Sequence, residues 1–215
     1  MENKYLKETE FLDFSTENIQ QFIDEFKQLD SNKEKAVKCY YKVRDGFRYD
    51  PYHIELTKSG LKASTIIEKP RAWCVEKAIL MAACLRGLGI PARLGYGIVI
   101  NHIGVEKLIA FLRREEIVFH GYVDVYLEDR WIKATPAFDP VVCKISGVAP
   151  LDWEGESDSM FQPYLDTKQF MEYIHFYGEF DDVPLQLMRD EMEKYYPHLF
   201  EKEIESKHFT FKFLE

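Results

Sequence analysis

Cys74 opens the one stretch of this chain whose residue types and order suit covalent chemistry. It follows Pro70-Arg71-Ala72-Trp73 and begins a run to Arg86 that is polar only near its ends and apolar from Ala78 to Leu85. A helix apolar around its whole circumference belongs in the interior, covered on every side. A cysteine at the N-terminus of such a helix meets unpaired backbone N–H groups and the positive end of the helix dipole, which favour a thiolate. The same N–H groups can hold an oxyanion developing on an attacked carbonyl. Cys74 is therefore expected to be a thiol nucleophile of low pKa. Cys39 and Cys84 have no such placement and read as packing, and Cys143 follows Pro140-Val141-Val142 in an expected loop. None of the four has C-x-x-C spacing, so free thiols are expected rather than a metal site or disulfides.

A thiol nucleophile needs a base, and the base needs a third group to orient it. Of the six histidines, His120 stands apart because it begins an alternating strand. Phe119, Gly121, Val123, Val125 and Leu127 form one face, and His120, Tyr122, Asp124 and Tyr126 the other. His53, His175, His198 and His208 read as surface or packing residues, while His102 closes a strand. A two-residue turn at Glu128-Asp129 sets Leu127 opposite Arg130, Val125 opposite Ile132, Asp124 opposite Lys133 and Val123 opposite Ala134. Extended further, that register puts Ala137 opposite His120, with Thr135 and Asp139 as its diagonal neighbours. A carboxylate both orients an imidazole and balances its charge. Asp139 is accordingly the expected third member, and Thr135 the neutral alternative. Asp124 shares the face but is accounted for by Lys133.

The elements that must position these groups are legible in outline. Ser15-Thr16-Glu17 followed by Ile19, Phe22, Ile23 and Phe26 reads as a capped amphipathic helix. Asn32 to Phe47 reads as a second helix, and Arg48 to Ser59, with Pro51, as loop. Gly87 and Gly89 stop the cysteine helix, Ala92 to Ile100 reads as a strand, and Val105 to Arg114 as a helix. Ile117 to Leu127 and Arg130 to Thr135 form the hairpin. Beyond Pro140 an irregular segment leads to a helix over Pro184 to Tyr196. Helices first, then clustered strands, then a helix imply an α+β fold, with a central helix carrying Cys74 packed on an antiparallel sheet.

A chain of 215 residues suits a single domain over 1–215, with a core at about 40–140, N-terminal helices and an extension over 141–215. The formal charge is −9, with a basic middle over 51–100 and an acidic end over 151–215. Without a basic stripe, neither nucleic acid nor a membrane surface is an expected partner. The polar start and the lack of a long apolar run point to a soluble, cytoplasmic protein.

The ordered pieces Trp73-Cys74-Val75-Glu76-Lys77-Ala78, Leu88-Gly89-Ile90-Pro91-Ala92-Arg93, His120-Gly121-Tyr122-Val123-Asp124-Val125-Tyr126 and Arg130-Trp131-Ile132-Lys133-Ala134-Thr135-Pro136 resemble the transglutaminase-like superfamily, with its papain-type Cys-His-Asp core. The resemblance spans about Tyr40 to Pro140, and the flanks resemble a bacterial branch. It implies cysteine-dependent acyl transfer or hydrolysis on a carboxamide or peptide bond through a thioester, as a protease, amidase or transglutaminase. No metal or organic cofactor is then required, and the partner is a peptide or protein amide substrate. It also implies an upstream side chain at the oxyanion hole, for which Trp73 is a candidate. In one respect the chain departs from the family: the usual spacing places aspartate where Thr135 stands. A catalytically silent module that binds peptide or protein is the alternative expectation.

Overall fold

The organising element is the cysteine helix. In the computed structural model, which describes residues 3–102, 106–161 and 171–214, α4 (Cys74–Gly87) is buried from Cys74 through Arg86, ends included. Its charged residues stay inside because each finds a partner, as a buried charge must. Glu76 accepts from Lys69 at 2.6 Å and from the Trp73 N–H at 3.2 Å. Lys77 donates to the Arg44 carbonyl at 2.8 Å, and Arg86 to the carbonyls of Ala92, Lys7 and Asp181.

Three α-helices precede it, α1 (Glu17–Ile23), α2 (Asn32–Gly46) and α3 (Ala63–Ile66), and all three pack on α4. The segment expected to be loop holds two short strands, β1 (Arg48–Tyr49) and β2 (His53–Glu55). β1 pairs in parallel with β3 (Arg71–Ala72). Strands of two or three residues leave no periodicity to read, and their partners are distant in the chain.

After α4 come β4 (Ala92–Asn101), α5 (Glu106–Leu112), β5 (Glu116–Leu127) and β6 (Arg130–Ala134), and α4 packs on β5 and β4. The hairpin adopts the expected register, with Leu127 opposite Arg130, Val125 opposite Ile132, Asp124 opposite Lys133 and Val123 opposite Ala134. Glu128 and Asp129 both take positive φ (49° and 63°), as a tight two-residue hairpin turn requires.

The chain beyond Pro140 is more regular than expected. It forms α6 (Pro140–Ser146), β7 (Met171–Phe180) and α7 (Leu185–Tyr195), then β8 (Ile204–Glu205) and β9 (Thr210–Lys212), which form a small sheet with β2. β7 joins the edge of the main sheet, giving the antiparallel order β6-β5-β4-β7. An edge strand buries only part of its surface, so Ile174, His175 and Phe176 stay exposed and blur its alternation.

Three glycines let these layers close. A Cβ on Gly121 would stand 3.0 Å from the Val75 Cα and 3.2 Å from the Cys74 carbonyl oxygen, so β5 seats the start of α4 through bare backbone. On β4, a Cβ on Gly95 would enter the Tyr122 ring, and one on Gly97 the Tyr173 ring.

Candidate active site

Cys74 is the first residue of α4, with Trp73 as its extended N-cap. Its sulfur meets the N–H groups of Val75, Gly121 and Cys74 itself, and the Tyr49 hydroxyl, each of which favours the thiolate. Burial works against them and prevails, pushing the thiol up to about 11. The low pKa expected from the helix start is thus overturned, because about 2% exposure costs an anion more solvation than the donors return.

Tyr49 was not legible as a site residue, since it lies in a stretch without period. Its backbone N–H donates to Asp139 Oδ2 at 2.7 Å, which fixes β1 against α6. Asp139 Oδ1 accepts from the N–H groups of Val141 (2.9 Å) and Val142 (3.2 Å), capping α6, and Arg48 stands 3.6 Å away. Burial opposes ionisation of Asp139, but those N–H donors and Lys77 hold its carboxyl below the usual range.

His120 sits on β5 next to Gly121, the residue that touches Cys74. A bulge in the β4–β5 pairing falls between Gly97 opposite His120 and Val99 opposite Ile117. Within it, Phe119 takes a φ of 61°, a conformation that costs a bulky residue about 1–3 kcal/mol and re-aims the next side chain. His120 is buried, its Nδ1 lies 2.8 Å from the Tyr173 hydroxyl, and its Nε2 has no hydrogen-bond partner among the described residues. Burial drives the imidazole down to about 4.

Asp139, the expected third member, does not meet the imidazole in this geometry. β6 ends at Ala134, which bridges to Ser159, and Thr135 donates its N–H to the Ser159 carbonyl at 3.0 Å. The pairing that would have carried Asp139 alongside His120 therefore stops short, and Phe138 lies beside the ring at 6.2 Å. Thr135 is buried, and its hydroxyl contacts the Met160 sulfur at 3.8 Å and interacts with Tyr173. Trp73 is buried with its indole Nε1 unpartnered among the described residues. Asp124 binds Lys133 at 3.3 Å as the register implied, and Arg93 more closely at 2.7 Å.

Cys74 forms part of the wall of a narrow cleft whose room for water is only about 20 Å³. Tyr49, Ile54, Trp73, Leu108, Val118 and Met192 are among its lining, which among the described residues includes no charged side chain. Tyr196 presents its ring there while its hydroxyl is engaged by the Val118 N–H and the Glu116 carbonyl.

The depressed imidazole has a consequence for stability. The unfolded histidine titrates near 6.5, so between that pH and about 4 the unfolded chain binds a proton that folded His120 refuses. Stability is full above 6.5 and falls as the pH drops through this window, by roughly 2–3 kcal/mol for this residue. Urea unfolding at pH 7 and pH 4.5 should show wild type losing about that much more than His120→Gln.

A cysteine at the head of a buried central helix, seated on an antiparallel sheet whose adjoining strand carries a histidine, defines the α+β fold of papain-like and transglutaminase-like proteins. The chain belongs to the transglutaminase-like superfamily, whose sequence profile matches residues 20–136, more than half its length. Among solved structures it is similar to a suspected cysteine protease from Cytophaga hutchinsonii, at 19% identity and a TM-score of 0.49 over 64% of this chain and 42% of that one. Among curated proteins, none matches the sequence. Of the described residues, no helix is long and apolar enough to cross a membrane.

Proposed function

We propose that this protein is a cysteine acyl-transfer enzyme in which Cys74 attacks a carbonyl and His120 moves the proton. The observation that carries the reading is the convergence on one sulfur of the Val75 and Gly121 N–H groups and the Tyr49 hydroxyl. Donors within reach of the sulfur also reach an oxygen on the carbon that bonds to it, so they serve a developing oxyanion. Trp73 offers a further indole N–H in the same cleft.

In the resting state thiol and imidazole are both neutral, so the reaction does not begin from a thiolate–imidazolium pair. The Cys74 proton passes to Nε2 as the S–C bond forms, and the carbonyl electrons move to the oxyanion. On collapse the C–N bond breaks, and the amine or ammonia leaves with the proton from His120. Water, or a second amine, then attacks the thioester by the reverse proton path and frees Cys74. The uncharged cleft favours a substrate with an apolar group beside the scissile carbonyl of a peptide or carboxamide.

The test is acylation by p-nitrophenyl butyrate, followed by release of nitrophenolate and by mass. One acyl group per chain on Cys74, absent from Cys74→Ala, supports the reading. So does butyrate reacting at least about tenfold faster than the anionic p-nitrophenyl succinate, since a carboxylate entering this cleft loses its solvation. Acylation that persists in Cys74→Ala, or equal rates for the two esters, overturns the assigned nucleophile or cleft. Burial of Cys74 favours a second reading, a silent module that binds peptide in the same cleft; it is the conclusion if neither ester acylates Cys74.

A further inference from the structure

The carboxylate expected beside His120 lies against β1 instead, and that strand carries the hydroxyl that meets the Cys74 sulfur. We propose that Asp139 is the positioning residue of Tyr49: it fixes the β1 backbone so that the Tyr49 hydroxyl donates to Cys74, and during acyl transfer to the oxyanion. The oxyanion role rests on the acyl-transfer reading above, whereas the hold of Asp139 on Tyr49 rests on the contacts.

A strand of two residues cannot hold itself in place. β1 pairs only along one edge, with β3, which is equally short and runs directly into Trp73 and Cys74. On that edge the N–H groups of Arg48 and Asp50 donate to the carbonyls of Pro70 and Ala72, at 3.3 Å and 3.2 Å. The Tyr49 N–H points to the opposite edge, where the ladder offers it no acceptor. Asp139 Oδ2 meets it there at 2.7 Å, and the ring of the preceding Phe138 packs edge-on against the Tyr49 ring at 4.6 Å. Two adjacent residues thus fix both the backbone and the ring of Tyr49. The other carboxylate oxygen is itself tied down, because it caps α6 through the N–H groups of Val141 and Val142.

The charges agree with these roles. The N–H donors and Lys77 hold the Asp139 carboxyl below its usual range, so at neutral pH it accepts as an anion, which strengthens the bond to Tyr49. Burial keeps the Tyr49 phenol protonated, and its contact with Cys74 disfavours the phenolate while favouring the thiolate. Opposite effects on the two groups are the mark of a hydroxyl that donates and a sulfur that accepts.

The experiment measures alkylation of Cys74 by iodoacetamide at pH 8, by mass, in wild type, Tyr49→Phe, Asp139→Ser and the double variant. Serine is a good N-cap, so Asp139→Ser retains the cap of α6 while its shorter side chain gives up the bond to Tyr49. Below its pKa a thiol reacts in proportion to its thiolate fraction, and losing one hydrogen bond to a charged sulfur lowers that fraction about tenfold. Tyr49→Phe should therefore react about tenfold more slowly and Asp139→Ser at least about threefold more slowly. The double variant should match Tyr49→Phe within about twofold, because Asp139 acts through that hydroxyl. General loosening of the fold would expose Cys74 and speed alkylation, the opposite sign. Unchanged or faster alkylation in Tyr49→Phe or Asp139→Ser, or losses that multiply in the double variant, overturns the proposal. Hydrogen exchange of wild type adds a test that needs no substitution: the Tyr49 amide should be protected, and exchange at the unfolded-chain rate overturns the proposal even if Asp139→Ser does not fold. Acylation by p-nitrophenyl butyrate should follow the same pattern in the four forms. If no form is acylated, the acyl-transfer reading and the oxyanion role fail, while alkylation still decides whether Asp139 positions Tyr49.

Discussion

Replacing His120 by glutamine is expected to slow acylation of Cys74 by p-nitrophenyl butyrate about 100- to 10,000-fold, the usual contribution of a positioned base. The variant should fold, because glutamine nearly fills the site and its amide can still meet the Tyr173 hydroxyl. The pH profile of wild type adds a second signature. As the proposed base, His120 would work only when neutral, and burial holds it near 4, so the acid limb should lie well below 6.5. The alkaline limb should follow the thiol, which is raised to about 11. A His120→Gln enzyme within about threefold of wild type would remove the base from this histidine. An acid limb at 6.5 would show instead that the imidazole titrates in contact with water during the reaction.

The second large effect is expected on stability. Asp124 is fully buried, and its Oδ2 takes two hydrogen bonds from Arg93, at 2.9 Å and 2.7 Å, besides Lys133 at 3.3 Å. Asp124→Ala leaves both cations without that carboxylate in a partly covered position, a loss of about 3 kcal/mol. For a chain of this size that lowers Tm by roughly 6–12 °C. Lys133→Ala should cost about 1 kcal/mol or less, since Lys133 is partly exposed and Arg93 remains. Calorimetry of the two variants separates these cases. If they are equally destabilised, Lys133 rather than Arg93 carries the interaction. Acylation should survive in Asp124→Ala, because Asp124 bonds neither Cys74 nor His120.

Several features of the site were determined by local sequence. The position of Cys74 at the head of α4 follows from an apolar run that ends in glycines and starts after Trp73, and helix ends are local properties of the chain. The His120 strand and its hairpin follow from alternation and from the pairing of Asp124 with Lys133, and the structure reproduces that register from Leu127 opposite Arg130 as far as Val123 opposite Ala134, short of His120. The order of the pieces, cysteine helix before histidine strand, sufficed for the family.

Tertiary structure decided the rest, because the forces involved act between segments far apart in the chain. Whether Cys74 is a thiolate depends on how much water surrounds it, and burial under α5, α7 and β1 outweighs the helix start that sequence alone displays. The third partner of His120 depends on where β6 stops. Bridging of Ala134 to Ser159 ends the ladder, sends Asp139 to cap α6, and leaves the imidazole to Tyr173, 53 positions further along the chain. Gly97 records that contact in the sequence only as an unremarked gap in β4, since the absence of a side chain gains meaning when a third strand lies across it.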